Sequence, residues 1–584
     1  MCMRKTKIVC TLGPASGSEE TIRELIQAGM DLTRFNFSHG THESHKKTFE
    51  IVDRLRREMG LPVATLLDTK GPEIRLCTFR DGSAQLQTGQ QFILTSADCE
   101  GDSNRVQINF PGLVSDVKAD DSILLDDGAI ALRVVRTGKT NIVCEVLNDG
   151  KISDRKGVNV PGVRLSMPYI SEKDRADIIF GVQTGFDFIA ASFTRCANDI
   201  LEIRKLLEEQ GNHTIRIIAK IENAEGVANI DEILRVSDGI MVARGDMGVE
   251  VPFEDVPVLQ KLLIKKCCAA GKMVITATQM LESMIHKPRP TRAETADVAN
   301  AIYDGTSAVM LSGETAAGDY PVEAVKTMAQ IAERTERDIN YRRRFLERSD
   351  DSTPDVTSAI SHATCTTAYD IGASAIITVT WSGSTARMIS KYRPDIPIIA
   401  CAHNDSTYYQ LALSWGVIPL RAEIKDNTDD LFLHAVQRAK EAGYVEDGNI
   451  VVITAGVPLG IHGTTNLLKV HVVGNILVTG QGVNKKSAVG RVCVAQTETE
   501  ALKNFEDGDI LVIPQTSNNL LPILKKASGI VTESAGMNSH AAIVGMTLDI
   551  PVIVAVENAT QILKSSTVVE IDASTGTVSN CKAE

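Results

Sequence analysis

The chain has 584 residues, is 43% hydrophobic and 23% charged, and carries a formal net charge of −13. Its length allows three or four domains of about 150 residues, and its acidic balance excludes a general nucleic-acid binder, which would carry a basic face. No apolar run reaches the ~18 residues of a membrane span, and the opening MCMRKTKIVCTLG has too short an apolar stretch for a secretory signal.

Twelve cysteines are scattered without a CxxC spacing. Dispersed thiols in a long chain point to a reducing cytoplasm rather than a disulfide framework. Cys10, Cys144, Cys401 and Cys493 lie inside apolar runs and are expected to be small core residues. Aromatics are 4% of the chain, few for stacking on bases.

Eight apolar runs read as strands: 5–12, 32–37, 63–68, 186–193, 215–221, 239–243, 273–277 and 307–312. Between most of them lie helical patterns such as SEETIRELIQAGM, EDVPVLQKLLIKKCCAAGK and TRAETADVANAIYDG. The repeated β–α order predicts an α/β fold with a parallel sheet closed into a (β/α)8 TIM barrel over 1–70 and 168–345. Active sites of such barrels lie at the C-terminal ends of the strands. Polar residues gather there: Arg34, Asn36 and Ser38; Asp68 and Thr69; Lys220 and Glu222; Asp246; Thr278; Ser312 and Glu314.

The rhythm breaks after strand three. Segment 71–167 has short β-rich runs and turns such as DDG, NDG and PG, and reads as a small β-barrel domain inserted into a barrel loop, placed to act as a lid. Segment 346–475 returns to α/β, with SAISHATCTTAYDIG as a helix and ASAIITVT, PIIACA, IVVITAG and KVHVVG as strands. TGQGVNKKSAVG, near 479–490, reads as a Gly-rich linker, and 476–584 as a further small domain.

The chemistry concentrates in IIAKIENAEG and DGIMVARGDMGVE. Each is a buried-strand run ending in charge: Lys220 with Glu222, and Arg244 with Asp246. Such groups are costly to bury unpaired. A divalent cation held by Glu222 and Asp246, with Lys220 facing an anionic ligand, reconciles them. This predicts metal-assisted chemistry on a phosphorylated or carboxylated small molecule.

In TRFNFSHG, Arg34, Asn36 and Ser38 share strand parity. A guanidinium there suits phosphate, although strand-end capping also explains the Asn and Ser. In LLDTKGPEIR, Asp68 and Thr69 add oxygens for a hard cation, and Arg75 stands at the entrance to the inserted domain, although Gly71-Pro72 is also an ordinary turn. Thr278 suits an orienting hydroxyl or a helix N-cap, and Gly245 a close backbone approach to an anion or a simple turn. In ASAIITVTWSGSTARMISKYRP, the turn Thr380, Ser382, Gly383, Ser384, Thr385 can cradle a phosphate at a helix start, or be a βα turn with a serine cap.

IIAKIENAEG, ARGDMGVE, TATQMLESM with KPRPTRAE, TRFNFSHG and LLDTKGPEIR resemble the motifs of the pyruvate kinase family, in that family's order, from about residue 4 to about 473. The resemblance implies phosphoryl transfer from phosphoenolpyruvate to ADP, giving pyruvate and ATP. It implies Arg34, Lys220, Gly245, Asp246 and Thr278 as substrate contacts, with Lys220 and Thr278 catalytic. It further implies Mg²⁺ or Mn²⁺ on Glu222 and Asp246, K⁺ on Asn36, Ser38, Asp68 and Thr69, and nucleotide phosphates near Arg75 and Lys156. Glu73 stands where potassium-independent members carry lysine, so K⁺ dependence is expected. Phe35 and Met247 replace usual leucines and leave the ligands in place.

A cytoplasmic homotetramer, and an allosteric domain whose loop 380–385 takes a phosphorylated effector, are implied in the same way. SAGMNSHAAIV and IPVIVA are similar to the mobile phosphohistidine domain of phosphoenolpyruvate-utilising enzymes, as in the C-terminal extension of Bacillus-type pyruvate kinases. His540 falls at the phosphorylated position, but Asn538-Ser539 precedes it where Thr-Ser is usual, which favours a structural or regulatory remnant. Three alternatives remain open at this point: a phosphotransferase that phosphorylates its own His540, a catalytically dead phosphometabolite sensor, and a metal-dependent aldolase.

Overall fold

A computed structural model describes residues 4–347, 355–425, 427–457, 465–474 and 476–580. Two compact units divide the chain. The first takes the described residues up to His362 together with Thr380–Arg421.

Its centre is a closed barrel of parallel strands: β1 (Lys7–Thr11), β2 (Leu32–Asn36), β3 (Ala64–Asp68), β4 (Phe188–Ala191), β5 (Arg216–Ile221), β6 (Gly239–Ala243), β7 (Met273–Ala277) and β8 (Ala308–Leu311). All eight fall within the apolar runs identified in the sequence. Strands wrapped by helices are buried on both faces, so each reads as a continuous apolar run. The two faces still separate by parity. Val9, Leu66, Phe188, Ile218, Met241 and Met310 belong to one apolar cluster, while their neighbours Ile8, Leu67, Ile189, Ile217, Ile240 and Val309 belong to a second, shared with the helices.

The helices start and stop on local signals. Thr291 and Glu294 form a reciprocal cap before Arg292–Asp304, and Gly305 ends that helix at φ 96°. β1 pairs with β8 as well as β2. Just ahead of β1, the Lys5 and Thr6 amides donate to the two Glu336 carboxylate oxygens at 2.8 and 2.6 Å. Glu336 lies on helix Pro321–Asp338, so the closure of the barrel is made by hydrogen bonds as well as by strand pairing.

Between β3 and β4 lies a β-rich insert. Six strands (Val158–Asn159, Ser122–Leu125, Ile130–Thr137, Asn141–Val146, Gln91–Thr95 and Arg105–Gln107, in sheet order) and a ribbon of Ser83–Leu86 with Gly150–Ser153 surround one core that includes Leu86, Phe92, Leu132 and Ile152. The DDG turn is left-handed throughout, with Asp126 and Asp127 both at φ 52° and Gly128 at φ 85°. Also in the first unit, Ile398–Ala402 pairs in parallel with Val417–Arg421.

In the second unit, residues 375–379 pair in parallel with Ile450–Ala455, which pairs antiparallel with Leu467–Val472. The C-terminal segment forms an eight-stranded sheet. Here the expected linker at 479–490 is corrected. Ile476–Thr479, Gln481–Gly482 and Ser487–Val494 are all strands of that sheet. The glycines serve close packing rather than flexibility: a Cβ on Gly482 would lie 1.8 Å from the Ala573 carbonyl oxygen. Cys10, Cys144, Cys401 and Cys493 are buried, as their apolar surroundings imply. No helix among the described residues is long and apolar enough to cross a membrane.

Candidate active site

Register brings the charged residues together. Arg34 and Asn36 end β2 opposite Leu66 and Asp68 of β3. Lys220 lies near the end of β5, with Glu222 just beyond it. Lys220 Nζ sits 3.0 Å from Glu222 Oε1 and 3.1 Å from Asp68 Oδ1, and donates to Ser192 Oγ at 2.7 Å. Asp68 Oδ2 accepts from Arg34 Nε at 2.5 Å, so one carboxylate bridges two cations. Arg34 also donates to Thr11 Oγ1 at 3.0 Å.

Burial alone would discharge Lys220, but Asp68 and Glu222 outweigh it and carry its pKa up to about 12. Asp68 is held below the usual carboxylate range because Arg34 and Lys220 overcome its burial. Glu222 is pushed the other way, to about 7, by burial; Lys220 opposes this and the nearby Asp246 charge adds to it. Its second oxygen accepts the Phe193 amide at 2.5 Å. Two cations thus face three carboxylates, and the Glu222–Asp246 pair is short of positive charge. This oxygen donor set fits a hard divalent cation, with water and substrate completing the coordination.

Asn36, Ser38, Asp68 and Thr69 also meet at the ends of β2 and β3. Asn36 Oδ1 accepts the Ser38 amide at 3.1 Å. Thr69 Oγ1 donates to the Ala190 carbonyl and accepts the Ser192 amide, both at 3.1 Å. Each of these oxygens keeps a lone pair, so the set fits a monovalent cation.

Thr278 and Gln279 take left-handed φ values of 66° and 55° just past β7. Arg244 holds them there: its guanidinium donates to the Thr278 carbonyl at 2.7 Å and pairs with Asp297 at 2.7 Å. Arg244 therefore turns away from Asp246, and serves the loop rather than the charged cluster. The Gly245 amide donates to Thr278 Oγ1 at 2.8 Å, joining two of the expected substrate contacts. The Thr278 hydroxyl itself donates to the Ala277 carbonyl at 2.7 Å. Glu314, buried, accepts the Leu281 and Ser312 amides and is structural.

A cavity of about 420 Å³ lies between insert and barrel, reached by Glu73, Asn159, Arg164, Asp246 and Glu250. Arg75 and Lys156 are brought close by the backbone bridge Arg75↔Gly157, but neither lines that cavity. Arg75 pairs with Glu73 at 2.7 Å and Lys156 with Asp126 at 2.9 Å.

Thr380 and Thr385 are buried, and Gly383 takes φ 78° at the start of helix Ser384–Lys391. The Ser382 carbonyl accepts from Arg387 at 3.0 Å and from Arg216 of β5 at 3.3 Å. In the second unit, His540 opens helix His540–Leu548, with Ser539 as its cap. Its Nδ1 lies 2.9 Å from Thr516 Oγ1 and its Nε2 3.0 Å from Asn518 Oδ1.

Sequence reasoning missed Ser192. Its hydroxyl, buried at the end of β4, reaches Lys220 Nζ, Asp68 Oδ1 at 3.0 Å and the Thr69 carbonyl at 2.7 Å. The strand-end rule that collected the other residues also points to it; the run AASF simply offers no charge to draw attention.

A parallel barrel with an inserted β domain, and a lysine clasped by carboxylates at the ends of its strands, defines an enzyme of the (β/α)8 class. Residues 3–325 match the family described as pyruvate kinase, barrel domain; 358–471 match pyruvate kinase, alpha/beta domain; and 505–576 match PEP-utilising enzyme, mobile domain. The pyruvate kinase of Geobacillus stearothermophilus is 52% identical over 577 residues, 98% of either chain. That of Bacillus licheniformis is 50% identical over 578 residues, 99% of either chain. A crystal structure of a pyruvate kinase from Cryptosporidium parvum aligns with TM-score 0.77 and 40% identity, covering 81% of this chain and 96% of that one. The chain belongs to the pyruvate kinase family. It is an enzyme that moves the phosphoryl group of phosphoenolpyruvate to ADP, giving pyruvate and ATP.

Proposed function

We propose that Lys220 is the group on which phosphoryl transfer turns, its ammonium aimed at the oxygens that share charge as phosphorus moves from enolate to nucleotide. The observation that carries this is its clasp by Asp68, Glu222 and Ser192, which keeps the ammonium charged and fixed. Arg34, tethered to the same Asp68, holds the substrate phosphate. Gly245, Asp246 and Thr278 orient the substrate, with the Thr278 hydroxyl near the path along which the enolate is protonated. Glu222 and Asp246 hold Mg²⁺ or Mn²⁺, while Asn36, Ser38, Asp68 and Thr69 hold K⁺. The bound divalent ion supplies charge neutralisation and Lewis-acid polarisation. With it, the net charge around Lys220 turns positive, which suits an anionic substrate.

Segment 71–167, as a lid over the barrel of 1–70 and 168–345, brings Arg75 and Lys156 to the nucleotide phosphates and excludes water. The α/β segment 346–475 carries the regulatory loop, where Thr380, Ser382, Gly383, Ser384 and Thr385 bind a phosphorylated effector; Arg216 ties that loop to the strand bearing Lys220. Phe253 is 81% and Val258 64% exposed on neighbouring turns, an apolar surface suited to burial against another copy in a cytoplasmic homotetramer. In 476–584, His540 is a clasp rather than a phosphate acceptor, because Thr516 and Asn518 engage both ring nitrogens.

Pyruvate release from phosphoenolpyruvate tests the reading, and is expected only with ADP, Mg²⁺ and K⁺ all present. Lys220→Met is expected to lower turnover by about three orders of magnitude or more, on the scale of removing a preorganised charge from a transition state, while Mn²⁺ still binds. Near-normal turnover in Lys220→Met would refute the assignment.

A further inference from the structure

At the end of the barrel opposite Lys220 and Glu222, the segments entering β7 and β8 meet helix Ser384–Lys391 and the loop around Ser414. They enclose a small pocket with room for about one water-sized group. Its polar lining is one-sided. Lys272, Arg387, Lys391 and Arg393 reach it, with the hydroxyls of Ser307 and Ser414, and no carboxylate lines it.

Two of these groups are buried and have no partner: Arg393 Nε and the hydroxyl of Ser414, a residue 1% exposed. The nearby acceptors are already engaged. The Gly305 carbonyl and Ser307 Oγ each accept from Arg393 at 3.0 Å, and the Trp415 carbonyl accepts from Ser390 at 2.6 Å. Lys272 is spent on the carbonyls of Leu234 and Ser237.

Asp238, whose charge acts on both Lys272 and Arg387, is paired with Arg204 at 2.8 Å and Arg216 at 2.9 Å. Among the described residues, no carboxylate forms an ion pair with Lys272, Arg387 or Arg393. Burial, with Arg216 adding repulsion, lowers the Arg387 pKa to about 10. Cations removed from water without a counter-charge are costly. A water molecule in the pocket would have to place its own protons among groups that mostly donate. An anion accepts from all of them and supplies the missing charge.

We propose that this pocket binds a small monatomic anion, a halide, held by Arg387, Arg393 and Ser414. None of the residues Thr380 to Thr385 lines it, so it is separate from the loop assigned above to a phosphorylated effector. Helix Ser384–Lys391 begins in that loop, so an anion here tethers the helix to the base of the barrel.

The test uses the full chain in potassium gluconate, whose anion is too large for the pocket, with bromide exchanged in at constant ionic strength. Crystals grown with bromide are expected to show an anomalous peak within hydrogen-bonding distance of Arg393 Nε and Ser414 Oγ. The melting temperature is expected to rise saturably with the bound anion. Arg387→Met should abolish both peak and rise, yet melt at or above wild type in gluconate alone, because a buried uncompensated charge is gone. That crossover separates anion binding from a packing role. Ser414→Ala, which removes only a hydroxyl, should weaken the saturable rise and serves if Arg387→Met does not fold. Ordered water without anomalous signal, or an undiminished rise in both variants, would overturn the proposal.

Discussion

Ser192→Ala removes one oxygen from the centre of the charged cluster and leaves every charge in place. The Ser192 hydroxyl accepts from Lys220 Nζ at 2.7 Å and lies 3.0 Å from Asp68 Oδ1 and 2.7 Å from the Thr69 carbonyl. A hydrogen bond to a charged partner contributes about 1.5–3 kcal/mol. Lys220 keeps its two carboxylates, so it stays charged but loses the contact that fixes its direction. If that contact matters in the transition state, about 1.5–3 kcal/mol of barrier corresponds to a roughly 10- to 150-fold fall in kcat. The assay is ADP-dependent pyruvate release at saturating Mg²⁺ and K⁺, with kcat and KM separated, and a melting curve to normalise for folded protein. KM for phosphoenolpyruvate is expected to change less than kcat. A kcat within about twofold of wild type, with the folded fraction unchanged, would show that Lys220 is positioned by its carboxylates alone, and the reasoning fails.

Other perturbations probe the surroundings. Glu222→Gln keeps the shape but removes one anionic oxygen pair; we expect Mn²⁺ affinity, read by paramagnetic titration, to fall about tenfold or more, the equivalent of ~1.4 kcal/mol, and unchanged affinity would move the divalent site elsewhere. Asp238→Asn leaves Arg204 and Arg216 without their counter-charge, at a cost of about 3 kcal/mol near neutral pH. Burial alone would raise the Asp238 pKa, but Arg216 and Arg204 hold it below 3.8 in the folded chain. Its stabilisation is therefore present above pH 3.8 and lost as pH falls through the depressed value. The gap in melting temperature between wild type and Asp238→Asn should close in that acid range; a gap that is constant with pH would refute the linkage. His540→Ala is expected to leave turnover unchanged, and wild type incubated with labelled phosphoenolpyruvate without ADP should trap no acid-labile phosphate, so a phosphorylated chain would restore the self-phosphorylating alternative.

Eight strands were legible because parallel strands covered on both faces leave one unmistakable trace, a short apolar run closed by a polar residue. The same trace located Lys220, Glu222, Asp246 and Asp68, charges that a buried strand end tolerates only with partners. Three features were hidden for different reasons. Ser192 is uncharged, and its importance lies in three contacts made across strands, which no local pattern encodes. Arg244 shares a motif with Asp246, but its side chain leaves for Asp297, some fifty residues on, and the Thr278 carbonyl. The stretch near 479–490 has a linker's composition, yet its glycines are needed because another backbone passes within van der Waals contact. Composition cannot distinguish freedom from crowding.

The hydrogen bonds from Lys5 and Thr6 to Glu336, and the pairing of β1 with β8, set an order on how the protein can be made. A ribosome delivers the first strand some three hundred residues before the partner that completes its hydrogen bonding. Until then β1 has one edge unsatisfied, an open template for wrong pairing in the nascent chain. The β-rich insert needs no such delay, since its sheet is drawn from contiguous sequence and closes over its own core. Synthesis should therefore yield a folded insert on an unfinished cylinder, and a ribosome stalled before Glu336 emerges should carry a protease-resistant insert flanked by digestible barrel segments.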